Sequence, residues 1–150
     1  MDIRDATTED IDAIRRVAAD SLRTSYDHAI DEEVLMSAVD EWYSADRLTD
    51  GLTDDNVVFV VAVDSGSVVG FAQSEVSEGR ESVGYLDWLH VVPDHRGGGI
   101  GSQLLTRLKQ ELVGGGVDRL EGRVLVDNRS GVSFYEEQGF SEVGTRTVEI

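Results

Sequence analysis

The chain has 150 residues, no cysteine and a formal net charge of −17. Its 17 aspartates and 13 glutamates face 12 arginines and a single lysine, Lys109, so the composition excludes disulfides and thiolate chemistry and makes nucleic acid a poor partner. No apolar run approaches the roughly twenty residues that cross a bilayer, and the chain starts with acidic residues where a signal peptide would be basic. We therefore expect one domain over residues 1–150, in the cytoplasm and without a membrane partner.

The charge pattern also predicts the environment of the protein. Self-repulsion at this charge density would weaken a compact fold at low salt. Abundant aspartate with almost no lysine is therefore typical of a halophilic organism, whose salty cytoplasm shortens the Debye length to a few ångströms. The three histidines, His28, His90 and His95, lack the spacing of a metal motif, and no bound metal is expected.

The first elements are a strand and two helices. Thr7 with Asp10 forms a variant of the capping box at the start of the first helix. A second helix is predicted to begin near Asp31. The apolar stripe of the first helix consists of Ile11, Ile14, Val17 and Ala18, and that of the second of Val34 or Leu35 with Ala38, Val39 and Trp42.

Three strands are expected next. Two β-branched runs, Val57 to Val63 and Val68 to Val76, are separated by the turn sequence Asp64-Ser65-Gly66-Ser67 and predict a hairpin. After a turn at residues 78–81, Ser82 to Val92 predicts a further strand.

A glycine-rich turn, Arg96-Gly97-Gly98-Gly99-Ile100-Gly101, joins that strand to an amphipathic helix. The first turn of a helix leaves backbone N–H groups unpaired at the positive end of the helix dipole, and glycines let an anion approach them closely. The turn therefore predicts a phosphate site. The helix should end at Gly114-Gly115-Gly116 and bury Ile100, Leu104, Leu105, Leu108 and Leu112.

The remaining pattern predicts a strand over Leu120 to Val126, a helix over Ser130 to Gln138 with Gly139 just after its end, and closing strands from Phe140 to Ile150. The expected order is β-α-α-β-β-β-α-β-α-β. This predicts an α/β (α+β) fold with a mixed, mostly antiparallel sheet flanked by helices. An exposed final strand could pair two copies of the chain as a homodimer.

Four blocks, in order along the chain, resemble the GNAT family of N-acetyltransferases. They are residues 3–11, the segment Leu86-Asp87-Trp88-Leu89-His90-Val91-Val92-Pro93, the R-x-x-G-x-G segment at residues 96–101, and the late segment from Asn128 to Gly139-Phe140. The match spans almost the whole chain and is weakest between Ser21 and Asn56. The resemblance implies the GNAT fold and transfer of an acetyl group from acetyl-coenzyme A to an amine.

The resemblance also implies roles for particular residues. Backbone N–H groups of Gly97, Gly98, Gly99, Ile100, Gly101 and Ser102 would hold the cofactor diphosphate, with Arg96 at the loop mouth. The pantetheine arm would pair with Leu89, His90 and Val91, and Asn128 would bond that arm or cap the next helix. Tyr135 matches the tyrosine that protonates the departing thiolate, while Phe134 or Tyr135 must pack in the core.

The general base is left open. Asp87 and Glu75 lie on neighbouring predicted strands, and His90 has a suitable reference pKa; each of the three is also an ordinary strand residue. Family members that acetylate protein amino termini usually carry a glutamate where this chain has Arg123, which argues against that substrate.

The acceptor is expected to be a small-molecule or peptide amine bound by residues 21–56 together with the second hairpin. In the first of these segments His28, Trp42 and Tyr43 lie among carboxylates suited to a cation. Without cysteine or a G-x-S-x-G elbow, direct attack in a ternary complex is expected. The alternatives are a non-catalytic acyl-coenzyme A sensor and a longer acyl donor.

Overall fold

The computed structural model describes residues 1–25, 31–77, 83–124 and 129–142. Its strands are β1 (Asp2–Asp5), β2 (Val57–Asp64), β3 (Ser67–Val76), β4 (Val83–Val91) and β5 (Arg119–Gly122). Its helices are α1 (Ile11–Ser25), α2 (Glu32–Trp42), α3 (Ala45–Thr53), α4 (Ile100–Gly114) and α5 (Arg129–Glu137). Short 3-10 turns cover Thr8–Asp10 and Pro93–His95.

The strands form one sheet in the order β1-β2-β3-β4-β5. All neighbours are antiparallel except β4 and β5, which run parallel. A parallel pair needs a crossover connection, and α4 supplies it. The predicted mixed, mostly antiparallel sheet flanked by helices is therefore confirmed.

The hairpin between β2 and β3 turns at the predicted Asp64-Ser65-Gly66-Ser67. Ser65 and Gly66 both have positive φ, +52° and +82°. Two central residues with positive φ make a type I′ turn, whose twist matches that of the flanking strands.

Two hydrophobic clusters cover the two faces of the sheet. On one face α1, α2 and α3 pack against Phe59, Val61 and Phe71. On the other, α4 packs against Val60, Ala62 and Ala72. The five α4 residues predicted to be buried are all buried, and so are Ile14, Val17 and Ala18 of α1.

The predicted inner face of α2 needs correction. Leu35 and Val39 are buried, but Val34 is 55% exposed and Trp42 is 50% exposed. Tyr43, only 4% exposed, takes the inward place. It lies four residues after Val39 and so remains on the same stripe. Its ring contacts Trp88 with centroids 4.7 Å apart.

Helix α3 was absent from the sequence prediction, which had two helices before β2. Ser44 caps it by accepting a hydrogen bond from the Arg47 N–H at 3.2 Å, and Leu48 is fully buried. The helix has only nine residues, fewer than the roughly eleven over which a helical period is counted, and it contains Gly51, which lowers helix propensity,.

Boundaries elsewhere differ by small amounts. β4 ends at Val91, one residue before the predicted end, while Ser82, its predicted first residue, lies outside the described residues; α5 runs over Arg129–Glu137. Gly139 has the left-handed φ of +93° expected just after a helix,. The predicted strand Leu120 to Val126 is wrong at its described end, because β5 runs only over Arg119–Gly122 and residues 123–124 are not strand. Residues 140–142, the start of the predicted closing strands, are not strand either. Residues 125–128 and 143–150 lie outside the described part of the chain. Of the described helices, none combines the length and apolarity needed to span a membrane.

Asp10 joins β1 to the start of α1. Its carboxylate accepts two hydrogen bonds from Arg4, at 2.8 and 2.9 Å, and one from the Thr7 N–H at 2.8 Å. The Arg4 bonds, followed by the Thr7 N–H, lower the pKa of Asp10 despite its burial. A lowered folded-state pKa stabilises the fold above the unfolded-state value, and this contribution is lost as pH falls through the folded-state pKa.

We expect Asp10→Asn to lower the free energy of unfolding at pH 7 by about 1–2 kcal/mol, because it removes an ion pair and weakens a helix cap. The difference in free energy of unfolding between the variant and wild type should become smaller as pH falls below roughly 4, the reference pKa of aspartate. Urea denaturation at fixed ionic strength measures both effects. Asp12→Asn, an exposed carboxylate at the start of α1, is the matched control; equal losses in the two variants would contradict the assignment.

Candidate active site

The glycine loop before α4 presents unpaired backbone donors to open space. Gly99 caps the helix, and the first helical bond runs from the Gln103 N–H to the Gly99 carbonyl at 3.0 Å. The N–H groups of Ile100, Gly101 and Ser102 therefore have no partner within the helix. Gly97 and Gly99 have φ near +83° and +84°, and a Cβ on either would meet nothing within 4 Å. An anion can approach these donors without a steric clash.

Arg96 begins this loop, and two of its guanidinium contacts run back toward the sheet and α1. Its Nε donates to the Val91 carbonyl at 3.1 Å, and its Nη2 donates to the Ser21 Oγ at 3.0 Å. Arg96 is exposed. It therefore ties the loop mouth to β4 and α1 while keeping its charge beside the glycines.

The ladder between β4 and β5 stops half-way along β4. Pairs run from Val83 with Arg119 to Leu86 with Gly122, although β4 continues to Val91. The Val92 N–H donates to the Val69 carbonyl of β3 at 2.9 Å. Because successive residues of a strand direct their backbone groups to opposite sides, Leu89 and Val91 face away from β3. Within the described residues no strand pairs with this edge of β4 beyond Leu86.

The residues that the sequence assigned to the pantetheine arm do not all direct their backbone groups to the same side of β4. Leu89 and Val91 present their backbone groups on the side of the open edge, where the Val91 carbonyl already accepts from the Arg96 Nε. By the same alternation the backbone of His90 faces β3. Asn128, the remaining candidate for this arm, lies outside the described residues.

A β-bulge contains Asp87, which directly follows Leu86, the last residue of β4 that pairs with β5. Ser74 pairs with Leu86 and Gln73 with Trp88, so Asp87 is the extra residue of β4 and is skipped in the backbone pairing with β3. Bulges redirect side chains and are frequent beside active sites. The Gln73 Nε2 donates to the Asp87 Oδ2 at 3.4 Å.

The bulge also brings Asp87 close to Glu75, the other predicted carboxylate. Asp87 keeps contact with solvent, yet partial loss of hydration and then the Glu75 charge raise its pKa, while Gln73 and Arg123 act in the opposite direction. A carboxyl group with a raised pKa is a better proton acceptor than an ordinary one. The sequence did not single out Gln73, because the bulge that orients Asp87 toward it has no local sequence signal.

Glu75 also lines an open groove of ≈ 480 Å³. Two of its residues, Asp54 and Asn56, belong to or adjoin the segment predicted to hold the acceptor. Of the aromatic residues proposed for the acceptor there, Tyr43 is buried in the core, Trp42 is exposed on α2, and His28 lies outside the described residues. The groove is lined by Asp54, Asn56, Glu75, Val76, Ser77 and Tyr85.

His90, the third candidate base, is engaged at both ring nitrogens. Its Nδ1 lies 2.9 Å from the Ser21 Oγ, and its Nε2 lies 2.9 Å from the Tyr43 hydroxyl. Burial, followed by the charge of Arg96, lowers the pKa of His90 to about 4. His90 is therefore neutral at pH 7 and serves as a link between α1, β4 and the end of α2.

Tyr135 lies on α5 at the point where β4 and β5 part. A Cβ on Gly122, the last residue of β5, would lie 3.9 Å from the Tyr135 Cε1. Burial raises the pKa of Tyr135, so the phenol keeps its proton at neutral pH. Phe134 packs against α4, where its ring would lie 3.4 Å from a Cβ on Gly101, and it contacts the Tyr135 ring edge-on with centroids 5.7 Å apart.

Three of these features lie along β4 where its pairing with β5 ends: the open edge, Asp87 directly after Leu86, and Tyr135 beside Gly122. The unpaired donors lie at the start of α4, the helix that connects the same two strands. The described residues contain no group of three or more side chains suited to hold a metal ion.

The family model for the acetyltransferase (GNAT) family matches residues 14–140. The chain belongs to the GNAT acetyltransferase family. It is therefore an N-acetyltransferase of GNAT type, and the resemblance found in the sequence is confirmed.

Relatives of this GNAT acetyltransferase include enzymes with named substrates. It is 28% identical to the aminoalkylphosphonate N-acetyltransferase of Salmonella typhimurium over 144 residues, covering 94% of this chain and 85% of the relative. The PaiA N-acetyltransferase of Thermoplasma acidophilum in complex with coenzyme A superposes with a TM-score of 0.87 at 24% identity, over 97% of this chain and 92% of that one. An aminoglycoside 6′-N-acetyltransferase of Acinetobacter haemolyticus gives 0.71 at 14% identity, over 100% and 97%. At such identities these two structures support the fold.

Two substitutions should move the pKa of Asp87 in opposite directions. Glu75→Gln removes a like charge and should lower it; Arg123→Gln removes an opposite charge and should raise it further. NMR titration of the Asp87 carboxyl carbon measures both shifts. Glu41→Gln, which removes an exposed carboxylate on α2, should leave the pKa unchanged. Shifts of the same sign in the first two variants would show that Asp87 does not sense these neighbours.

Proposed function

We propose that this GNAT acetyltransferase transfers the acetyl group of acetyl-coenzyme A to the primary amine of a small molecule or an exposed amino group, by direct attack in a ternary complex. The observation that carries the proposal is the open edge of β4, which runs between the glycine loop and Tyr135. It supplies backbone donors and acceptors along the line that an extended acyl carrier would follow.

The residues at this opening suit acetyl-coenzyme A. The N–H groups from Gly97 to Ser102 would bind its diphosphate, with the Arg96 charge beside them. Leu89 and Val91 would pair with the amides of its pantetheine arm as a neighbouring strand does. An N–H on this edge would also donate to the thioester oxygen and bind it more strongly as negative charge develops there.

Tyr135 would donate its phenolic proton to the departing thiolate sulfur. The reference pKa of tyrosine is about 10 and that of a thiol about 8.5, so transfer requires both groups to share a desolvated site. The partly buried position of Tyr135 beside Gly122 supplies such a site.

Asp87 would act as the general base, with Glu75 maintaining its raised pKa. An alkylammonium of pKa about 10.4 is neutral in only roughly one molecule in 2,500 at pH 7, so a proton must leave before attack. Because the base works deprotonated, turnover should rise with pH through the pKa of Asp87. Asp87 and Glu75 would also attract a cationic acceptor.

The relatives favour small acceptors, since the named ones act on an aminoalkylphosphonate and on aminoglycosides. Arg123, in place of the glutamate typical of amino-terminal acetyltransferases, supports the same preference.

The direct test is thiol release from acetyl-coenzyme A, read with a disulfide dye against polyamines, amino acids, aminoalkylphosphonates, aminoglycosides and peptides. The chain has no cysteine, so the protein itself gives no signal in this assay. Amine-dependent release would support the proposal and identify the acceptor class. Calorimetric binding of acetyl-coenzyme A without release by any amine would favour an acyl-coenzyme A sensor, and release from a longer acyl donor alone would correct the donor.

Tyr135→Phe should lower turnover by about 10²-fold, the usual contribution of a positioned acid, while acetyl-coenzyme A binding stays within about twofold of wild type. Thiol release measures turnover, and calorimetry measures the binding of acetyl-coenzyme A. Tyr43→Phe removes a hydroxyl bonded to His90 in the core and should have little effect on turnover. Full turnover in Tyr135→Phe would remove its proposed role as the acid.

We also propose that the protein works in a salty cytoplasm. The free energy of unfolding should rise steeply between about 0.1 and 1 M KCl, as the Debye length falls from roughly 10 to 3 Å, and then level off. Urea denaturation across this range measures it. A free energy of unfolding that does not change with KCl, or one that keeps rising linearly up to saturated KCl, would show that screening of surface charge does not stabilise this fold.

A further inference from the structure

We propose that Gln138 is a positioning residue for the cofactor diphosphate and acts through the hydroxyl of Ser102. The inference rests on the proposed function, in which the start of α4 binds that diphosphate. Gln138 lies just beyond the end of α5, within the late segment from Asn128 to Phe140, where the sequence analysis gave it no role.

The central contact is a short hydrogen bond between α5 and α4. The Gln138 Nε2 donates to the Ser102 Oγ at 2.7 Å. Ser102 is the third residue of α4, within the turn whose N–H groups have no helical partner,. A serine hydroxyl has one hydrogen to donate and two lone pairs to accept with. Since Gln138 occupies a lone pair, the hydroxyl hydrogen remains available to an anion, and the bond it accepts strengthens the one it donates.

The backbone of Gln138 forms hydrogen bonds with three other residues. Its N–H bonds to the carbonyls of Phe134 and Tyr135, each at 3.1 Å. Its carbonyl accepts from the Lys109 Nζ at 3.0 Å. The same ammonium group lies 5.1 Å from the centre of the Phe140 ring, a distance suited to a cation–π contact.

The identity of Lys109 adds weight to this arrangement. It is the single lysine among 150 residues, in a chain that otherwise uses arginine for positive charge. A compact ammonium with three donors can bond a helix-end carbonyl and contact an aromatic ring together. Lys109 therefore fixes the backbone of Gln138, and Gln138 in turn fixes the Ser102 hydroxyl at the start of the same helix.

The arrangement predicts a defect that depends on the donor. Gln138→Ala should raise the KM for acetyl-coenzyme A by about tenfold, equivalent to the loss of roughly one hydrogen bond to a charged group, while kcat stays within about twofold. Acetyl-pantetheine has the same thioester but no diphosphate, and kcat/KM for this truncated donor should equal that of wild type. Gln110→Ala, which removes an exposed glutamine side chain on α4, is the control and should match wild type with both donors.

A second pair of variants tests the route through Ser102. Ser102→Ala should give the same donor-selective loss, and Gln138→Ala combined with Ser102→Ala should lose no more than Ser102→Ala alone, because the two residues act in series. Since Ser102→Ala removes one oxygen from a half-buried position, it keeps the inference testable if Gln138→Ala folds poorly.

The outcomes separate this inference from the proposed function. A loss in Gln138→Ala that is equal for both donors would show that Gln138 only supports the helix of Tyr135, and would overturn the inference. If Gln138→Ala has the wild-type KM for acetyl-coenzyme A, and the wild-type protein does turn acetyl-coenzyme A over, the inference is also overturned. A wild-type protein that neither binds nor uses acetyl-coenzyme A would overturn the proposed function first.

Discussion

The candidate site depends on one structural constraint, the early end of the ladder between β4 and β5. Four residue pairs hold the strands together, and β4 then continues without this neighbour in the described part of the chain. Backbone groups at a strand edge are costly to bury unpaired. Arg96 already bonds to the Val91 carbonyl, so the Leu89 backbone and the Val91 N–H are the groups that need a partner or solvent. The start of α4 lies at one end of this edge and Tyr135 at the other, because α4 connects the same two strands and α5 packs beside Gly122. The parting of the strands therefore positions all three parts of the site.

An anionic donor must approach a protein of formal charge −17. The residues around the start of α4 differ in charge from the chain as a whole. The first turn of α4 carries no acidic residue, while Arg96 lies at the loop mouth and Lys109 stands farther along the same helix. Salt screens repulsion over distances beyond a few ångströms but leaves short hydrogen bonds largely intact. A salty environment would therefore relieve the repulsion between protein and cofactor at little cost to the contacts that bind it.

Much of the fold could be predicted from the sequence where one local pattern decided the outcome. The Ser65-Gly66 turn, the buried stripe of α4 and the glycine after α5 are such cases, and each has a direct stereochemical cause. The prediction failed where tertiary packing chose between adjacent residues, as when Tyr43 took the inward place expected of Trp42. Among the site residues, the glycine loop could be found from its spacing. The contact between Gln138 and Ser102 could not, because it joins residues 36 positions apart.

The bulge at Asp87 and the burial of His90 together decide which group could accept a proton. Imidazole has the more suitable reference pKa, but His90 is held between two hydroxyls and its pKa falls to about 4. Asp87 starts from an unsuitable reference value and is moved in the useful direction by lost hydration and by Glu75. The extra residue in β4 sets Asp87 at the opening, where a like charge on β3 can raise its pKa. A chain this rich in carboxylates can obtain a base by placing two of them together, whereas its histidine serves to hold α1 and α2 against β4.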